Sequence, residues 1–244
     1  MAGEAEMAVA DWKATAVSGM QGYQARNDSI EAGSRTWRAW LWLLAGAALM
    51  LAAASAYSAP KTVLVLGDSL SAEYGLARGS GWTQLLQQRL QQNKVEASVI
   101  NSSISGDTTI GGKNRLPGLL QKNRPDIVLI ELGSNDALRG LQLNATEQNL
   151  QAMIDMVTQA KARVLLVGMQ IPPNYGADYT RRFSAMFESL AKRNKAALVP
   201  FFMDGIAADM TQFQADRIHP NEQAQGKLLD NVWPHLKPLV GLKQ

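Results

Sequence analysis

Ser69, Asp216 and His219 are the residues whose types and spacing could run nucleophilic acyl chemistry. A serine hydroxyl attacks a carbonyl when a base takes its proton, a third group holds that base, and fixed donors meet the developing oxyanion. The chain has two histidines and no cysteine. Thiolate nucleophiles, disulfides, thiolate metal sites and multi-histidine metal centres are therefore excluded. His235 falls among apolar residues of the last helical stretch, which leaves His219 as the base. Asp216 stands three residues before it, in Asp216-Arg217-Ile218-His219-Pro220. One turn of chain brings that carboxylate to the imidazole, where it can fix the tautomer and leave Nε2 free for Ser69. The oxyanion donors to expect are the backbone N–H of Ser69, the backbone N–H of Gly106 and the side-chain amide of Asn135. Each of these residues alone would also serve as an ordinary turn or cap residue.

Their agreement comes from the elements that carry them. Val63 to Leu66 form an unbroken apolar run, as in a strand buried on both faces, and Gly67-Asp68-Ser69 follow at its carboxyl end. Further strands are expected at 95–100, 126–132, 163–169 and 197–202. Helical spacing covers 82–92, a segment around Leu116, Leu119 and Leu120 that Arg124-Pro125 ends, 146–160, 179–193 and 222–239. A partial helix is expected at 206–213, and loops at 101–109, 133–140, 172–176 and 216–220. Strands alternating with helices mean an α/β fold, a parallel sheet in a three-layer α/β/α sandwich. Gly106 and Asn135 then lie in loops at the same sheet edge as Ser69, where open α/β sheets place their ligands.

The 244 residues are 46% hydrophobic, enough for one well-buried core and too few for two large domains. Net charge is +3 and the basic residues are scattered, so no nucleic-acid partner is implied. Arg35 and Arg38 precede an apolar, uncharged run at 41–54, and Ala54-Ser55-Ala56 has the A-x-A pattern of a signal-peptidase site. Residues 1–56 thus read as an N-terminal extension and signal peptide, removed to leave one domain at 57–244 with no stable membrane anchor.

Gly67-Asp68-Ser69-Leu70-Ser71, Gly106, Gly133-Ser134-Asn135-Asp136 and Asp216-Arg217-Ile218-His219-Pro220 resemble, in order and spacing, the four blocks of the GDSL, or SGNH, hydrolases. The resemblance covers 61–240. Within the family it points to the bacterial multifunctional thioesterase, protease and lysophospholipase group. It implies a flavodoxin-like fold with strand order 2-1-3-4-5, a Ser69–His219–Asp216 triad, and an oxyanion hole of Ser69, Gly106 and Asn135. It also implies a periplasmic or secreted monomer that hydrolyses small-molecule esters and thioesters without a cofactor or metal. It places Ile171, followed by Pro172, beside the acyl chain. Two positions depart from the group, which often has glycine where this chain has Ser134 and Arg217. The lipase elbow G-x-S-x-G is absent, which predicts a shallow, open cleft. Gly75, Gly79 and Gly81 predict an adjustable loop at 72–81 opposite a stiff wall at Pro172-Pro173. A carbohydrate O-acetylesterase of the same family is the alternative. A nucleotide-binding module would need a phosphate loop that Asp68 opposes, and the intact set of site residues argues against a silent lipid-binding relative.

Overall fold

The computed structural model describes residues 59–243. The expected signal peptide lies outside the described residues. Five strands form one parallel sheet: β1 (Lys61–Gly67), β2 (Ala97–Asn101), β3 (Ile127–Glu131), β4 (Arg163–Val167) and β5 (Ala197–Val199). Their order is β2-β1-β3-β4-β5, as the resemblance implies. Val63–Leu66 of β1 and all of β3 are buried, as runs without polar alternation require. The sheet order reverses beside β1, so its carboxyl end opens into the crevice where the chain crosses from one face to the other.

Among the described residues, six α-helices cover the sheet: α1 (Trp82–Gln92), α2 (Thr109–Asn123), α3 (Ser134–Leu138), α4 (Leu143–Gln159), α5 (Ala177–Asn194) and α6 (Gln225–Val240). α1 packs on α6, while α2 packs on α4 and α4 on α5, so two helical layers enclose the sheet. The longer helices face the sheet with their apolar stripes, as with Leu150, Met153, Ile154 and Val157 of α4, while Leu85 of α1 and Leu119 and Leu120 of α2 are only partly buried. Trp82 is wholly buried against the edge of Phe202, with ring centroids 5.5 Å apart.

The structure departs from expectation in short segments. Residues 133–140 are not all loop, because Ser134–Leu138 close a turn of helix after Gly133. The partial helix expected at 206–213 is reduced to a 3₁₀ turn at Met210–Gln212, whose start the Asp209 side chain caps by accepting from the N–H of Thr211. β5 stops before Pro200, which has no N–H for the ladder. The last helix is preceded by a 3₁₀ turn at Glu222–Ala224 whose N–H groups the Asn221 side chain caps.

Candidate active site

Three segments meet at the carboxyl edge of the sheet. The first follows β1. Asp68 leaves the strand, its carbonyl accepts from the N–H of Ala72 at 2.9 Å, and its Oδ1 accepts from the N–H of Leu70 at 3.0 Å. This tight turn presents Ser69. The second is the loop after β2, where Gly106 has φ +77, a left-handed conformation that favours glycine. The third is Gly133 and α3. Gly133 has φ +119, so glycine is needed there, whereas position 134 is helical and accepts serine. That explains why Ser134 can stand where the resemblance leads one to expect glycine.

Side chains that the sequence did not single out hold these segments together. Arg115 of α2 donates to the carbonyls of Ser102 and Gly67 and, through Nε at 2.8 Å, to the Asp107 carboxylate. Asp136 accepts from the N–H of Thr109 at 2.8 Å, which pins the start of α2 to α3. Arg139 donates to the Gly106 carbonyl at 2.8 Å. The loop at 72–81 is cross-tied instead of adjustable. Glu73 accepts from the N–H groups of Gly79 and Gly81, and Glu222 accepts from Ala77 and Ser80. Glycine content predicted freedom, and these two carboxylates remove it.

His219 arrives from a loop 150 residues after Ser69, and its Nε2 lies 2.9 Å from Ser69 Oγ. Its Nδ1 lies 2.6 Å from Asp216 Oδ2. An ionised carboxylate only accepts, so the proton sits on Nδ1 and Nε2 is left to accept from the serine hydroxyl. Asp216 Oδ1 accepts from the N–H groups of Ile218 and His219 at 2.9 and 3.0 Å. Loss of solvent pushes the Asp216 carboxyl up, but those two N–H groups and the imidazole outweigh it and leave its pKa at about 2. The loop closes through Arg217 at φ +58, a position glycine would occupy without strain. Tyr74 packs on the imidazole, with ring centroids 4.4 Å apart.

Among the described residues, no group accepts from the backbone N–H of Ser69 or Gly106. Asn135 Nδ2 donates to Asp68 Oδ2 and to the Asp107 carbonyl, each at 3.0 Å. Beneath Ser69, Asp68 and Glu131 are both buried. Glu131 Oε2 accepts from the Ser71 hydroxyl at 2.7 Å and from the N–H of Asp68 at 3.2 Å, while Trp82 Nε1 donates to Ser71 Oγ. Burial first, and the Asp68 charge second, hold Glu131 well above the carboxylate range. Burial likewise raises Asp68 to about 6, against the pull of the Leu70 N–H, His219 and Asn135. A glutamate ending a wholly apolar strand was the sequence signal for this pair.

Exposed apolar side chains occur on the segments around this edge, with Tyr74, Ile104, Leu141, Tyr175 and Ile218, and Ile110 in the first turn of α2, all open to solvent. Ile171 is 8% exposed and packs into the core, whereas Pro172 is exposed. Among the described residues there is no cluster of His, Asp and Glu able to hold a metal ion.

A hydroxyl bonded to an imidazole, the imidazole bonded to a carboxylate, and unpaired N–H groups at one sheet edge can carry out serine acyl transfer. A sequence profile described as the GDSL-like lipase/acylhydrolase family matches residues 65–227. The chain belongs to this family. Its relatives include the esterase TesA of Pseudomonas aeruginosa, 47% identical over 81% of this chain and 98% of that one. Another is the thioesterase 1/protease 1/lysophospholipase L1 of Escherichia coli, 44% identical over 75% and 86%. Among solved structures, the psychrotrophic esterase EstA from Pseudoalteromonas, inhibited by monoethylphosphonate, superposes with a TM-score of 0.70. It is 40% identical over 73% of this chain and 97% of that one. This GDSL protein is thus an enzyme, a serine hydrolase on an SGNH fold.

Proposed function

We propose that this GDSL hydrolase cleaves carboxylic esters and thioesters, among them aryl esters, acyl-CoA and lysophospholipids, through an acyl-enzyme on Ser69. The observation that carries the reading is the unbroken bond chain Ser69 Oγ–His219 Nε2 and His219 Nδ1–Asp216 Oδ2. His219 takes the hydroxyl proton as Oγ bonds to the carbonyl carbon. The carbonyl oxygen becomes an oxyanion, which accepts from Ser69 N–H, Gly106 N–H and Asn135 Nδ2. Asp216 holds the imidazole and stabilises the imidazolium. Collapse expels the alcohol or thiol, which takes the proton from His219. A water then repeats the sequence on the acyl-enzyme, releasing the carboxylic acid and restoring Ser69.

The apolar side chains exposed around the site favour fatty acyl groups over acetylated sugars. The acyl chain lies along Pro172, with Ile171 backing that wall from the core. The basic, apolar and A-x-A segments within 1–56 support export and cleavage near Ala56. The mature chain, 57–244, then acts as a periplasmic or secreted monomer. Among the described residues, no helix is long and apolar enough to cross a membrane.

An aryl phosphonate should modify Ser69 once per chain, and Ser69→Ala should lower kcat by roughly 10³-fold or more. Mass spectrometry of the labelled peptide decides it; label on another serine, with Ser69 free, sinks the assignment. Relative rates on aryl esters, acyl-CoA, lysophospholipid and acetylated xylan then rank the substrate classes. N-terminal sequencing of the exported enzyme checks the cleavage site.

A further inference from the structure

In the resting site both protons of the Asn135 amide are already engaged. One meets the Asp68 carboxylate and the other the Asp107 backbone carbonyl, each at 3.0 Å. An oxyanion can take one of these protons only if one acceptor lets go. The bond to the ionised carboxylate is the stronger of the two, so the neutral Asp107 carbonyl is the one released. Asp68 itself is not free to move. It is 1% exposed, its Oδ1 is held by the Leu70 N–H, and its own N–H is anchored on Glu131. A terminal amide torsion is broad and roughly two-fold, so Asn135 can present either its nitrogen or its oxygen. A neighbour that only accepts hydrogen bonds decides which.

We propose that Asp68 is a positioning residue: its buried carboxylate locks the Asn135 amide with Nδ2 turned to the oxyanion site. This rests on the reading that Asn135 is an oxyanion donor. The groups facing Asp68 are Glu131 below it, His219 across the site and Asp107 on the neighbouring loop, and all three carry or can carry charge. A test must therefore isolate the path through Asn135 from direct effects on His219.

Asp68→Asn is nearly isosteric. Its Oδ1 continues to accept from Leu70, so its Nδ2 meets Asn135 Nδ2, donor against donor, and the Asn135 amide loses the acceptor that holds it, leaving only the Asp107 carbonyl on Nδ2. On a p-nitrophenyl ester, kcat is expected to fall about 10-fold with KM within about twofold, as for loss of a transition-state donor. In an Asn135→Ala background the same substitution is expected to cost less than about twofold, because the residue it acts through is gone. An equal loss in both backgrounds overturns the proposal. If Asn135→Ala itself costs nothing, the oxyanion assignment fails, and a second measurement judges Asp68 on its own. The side-chain amide signals of Asn135 in the 15N-labelled enzyme, identified by their loss in Asn135→Ala, are followed from pH 4 to 8. They are expected to shift with a midpoint near about 6, where Asp68 ionises, to keep shifting in His219→Ala, and to stay flat in Asp68→Asn. Flat signals in the wild-type enzyme overturn the proposal even where Asp68→Asn fails to fold.

Discussion

Gly67 is the last residue of β1, and a methyl group there would have no room. A Cβ would stand 2.7 Å from Glu131 Oε2 and 2.8 Å from both Cβ and Oγ of Ser71. None of these is the free end of a solvent-exposed chain. Glu131 and Ser71 are buried and bonded to each other, and Trp82 bonds to Ser71 from the other side. Gly67→Ala must therefore push this pair apart. Overpacking of a dense core costs roughly 1–3 kcal/mol, which for a domain of this size lowers Tm by about 2–12 °C. The displacement also passes to Asp68, whose N–H rests on Glu131, and so to Ser69. A shift of under an ångström at a nucleophile costs on the order of 10–100-fold in kcat. Gly118, exposed in α2 with nothing within 4 Å of its would-be Cβ, is the control. Gly118→Ala should raise stability by about 0.5–1 kcal/mol through helix propensity and leave kcat unchanged. Calorimetry and steady-state hydrolysis of an aryl ester read both effects. Wild-type Tm and kcat in Gly67→Ala would refute the argument, since the Glu131–Ser71 pair would then have to yield without cost.

The Asp216 carboxyl is held at about 2, below its ordinary value of 3.8. The stability it contributes is therefore present above pH ~4 and lost as pH falls through about 2. Tm should fall less steeply between those values in Asp216→Asn, whose kcat should drop roughly 10²- to 10⁴-fold; parallel Tm curves would exclude the carboxylate's contribution. Arg217 holds φ +58, so Arg217→Gly should leave Tm equal to or up to about 3 °C above wild type, as relief of strain offsets the entropy of the unfolded glycine. A clear fall would show that the guanidinium makes a stabilising contact. Ile171→Ala should cost about 2–5 kcal/mol of stability, since the side chain is buried. It should also lower kcat/KM for medium-chain esters more than for acetyl esters; a uniform drop across p-nitrophenyl esters would confine Ile171 to supporting the fold.

The strands of this enzyme were legible because Val63–Leu66 of β1 and Ile127–Ile130 of β3 are apolar without interruption, a pattern that admits few alternatives at such short length. α1 was legible to the residue, since Gly81 and the apolar face from Trp82 to Leu90 mark both its ends and its side. α3 was not, because Ser134, Asn135 and Asp136 are polar and five residues carry no periodicity; its helical turn exists only because Gly133 adopts a conformation imposed by the packing around it. Ser69, Asp216 and His219, which the structure brings into one bonded chain, were named from chemistry and spacing. The groups that hold them were not. Arg115 and Glu73 look like surface charges in sequence, and only the fold shows that each collects backbone groups from segments far apart or from a single loop. The Ile171 wall was misjudged in depth for the same reason: an apolar residue beside a cleft and one beneath it read alike.

Ser69 leaves the ribosome long before its base. The 150 positions from Ser69 to His219 span every strand after the first, and the segments after the imidazole reach back across that interval: Glu222 of the 3₁₀ turn accepts from the N–H of Ala77 in the loop after Ser69, and Gln225 accepts from the N–H of Trp82 at the start of α1. A chain still being made therefore holds a serine with no means of losing its proton. The site assembles only when the turn after β1 and the loop that carries His219 come together, so it waits on the folding of the segments between them. A hydroxyl without its base is inert, so a partly folded chain of this hydrolase carries no working site.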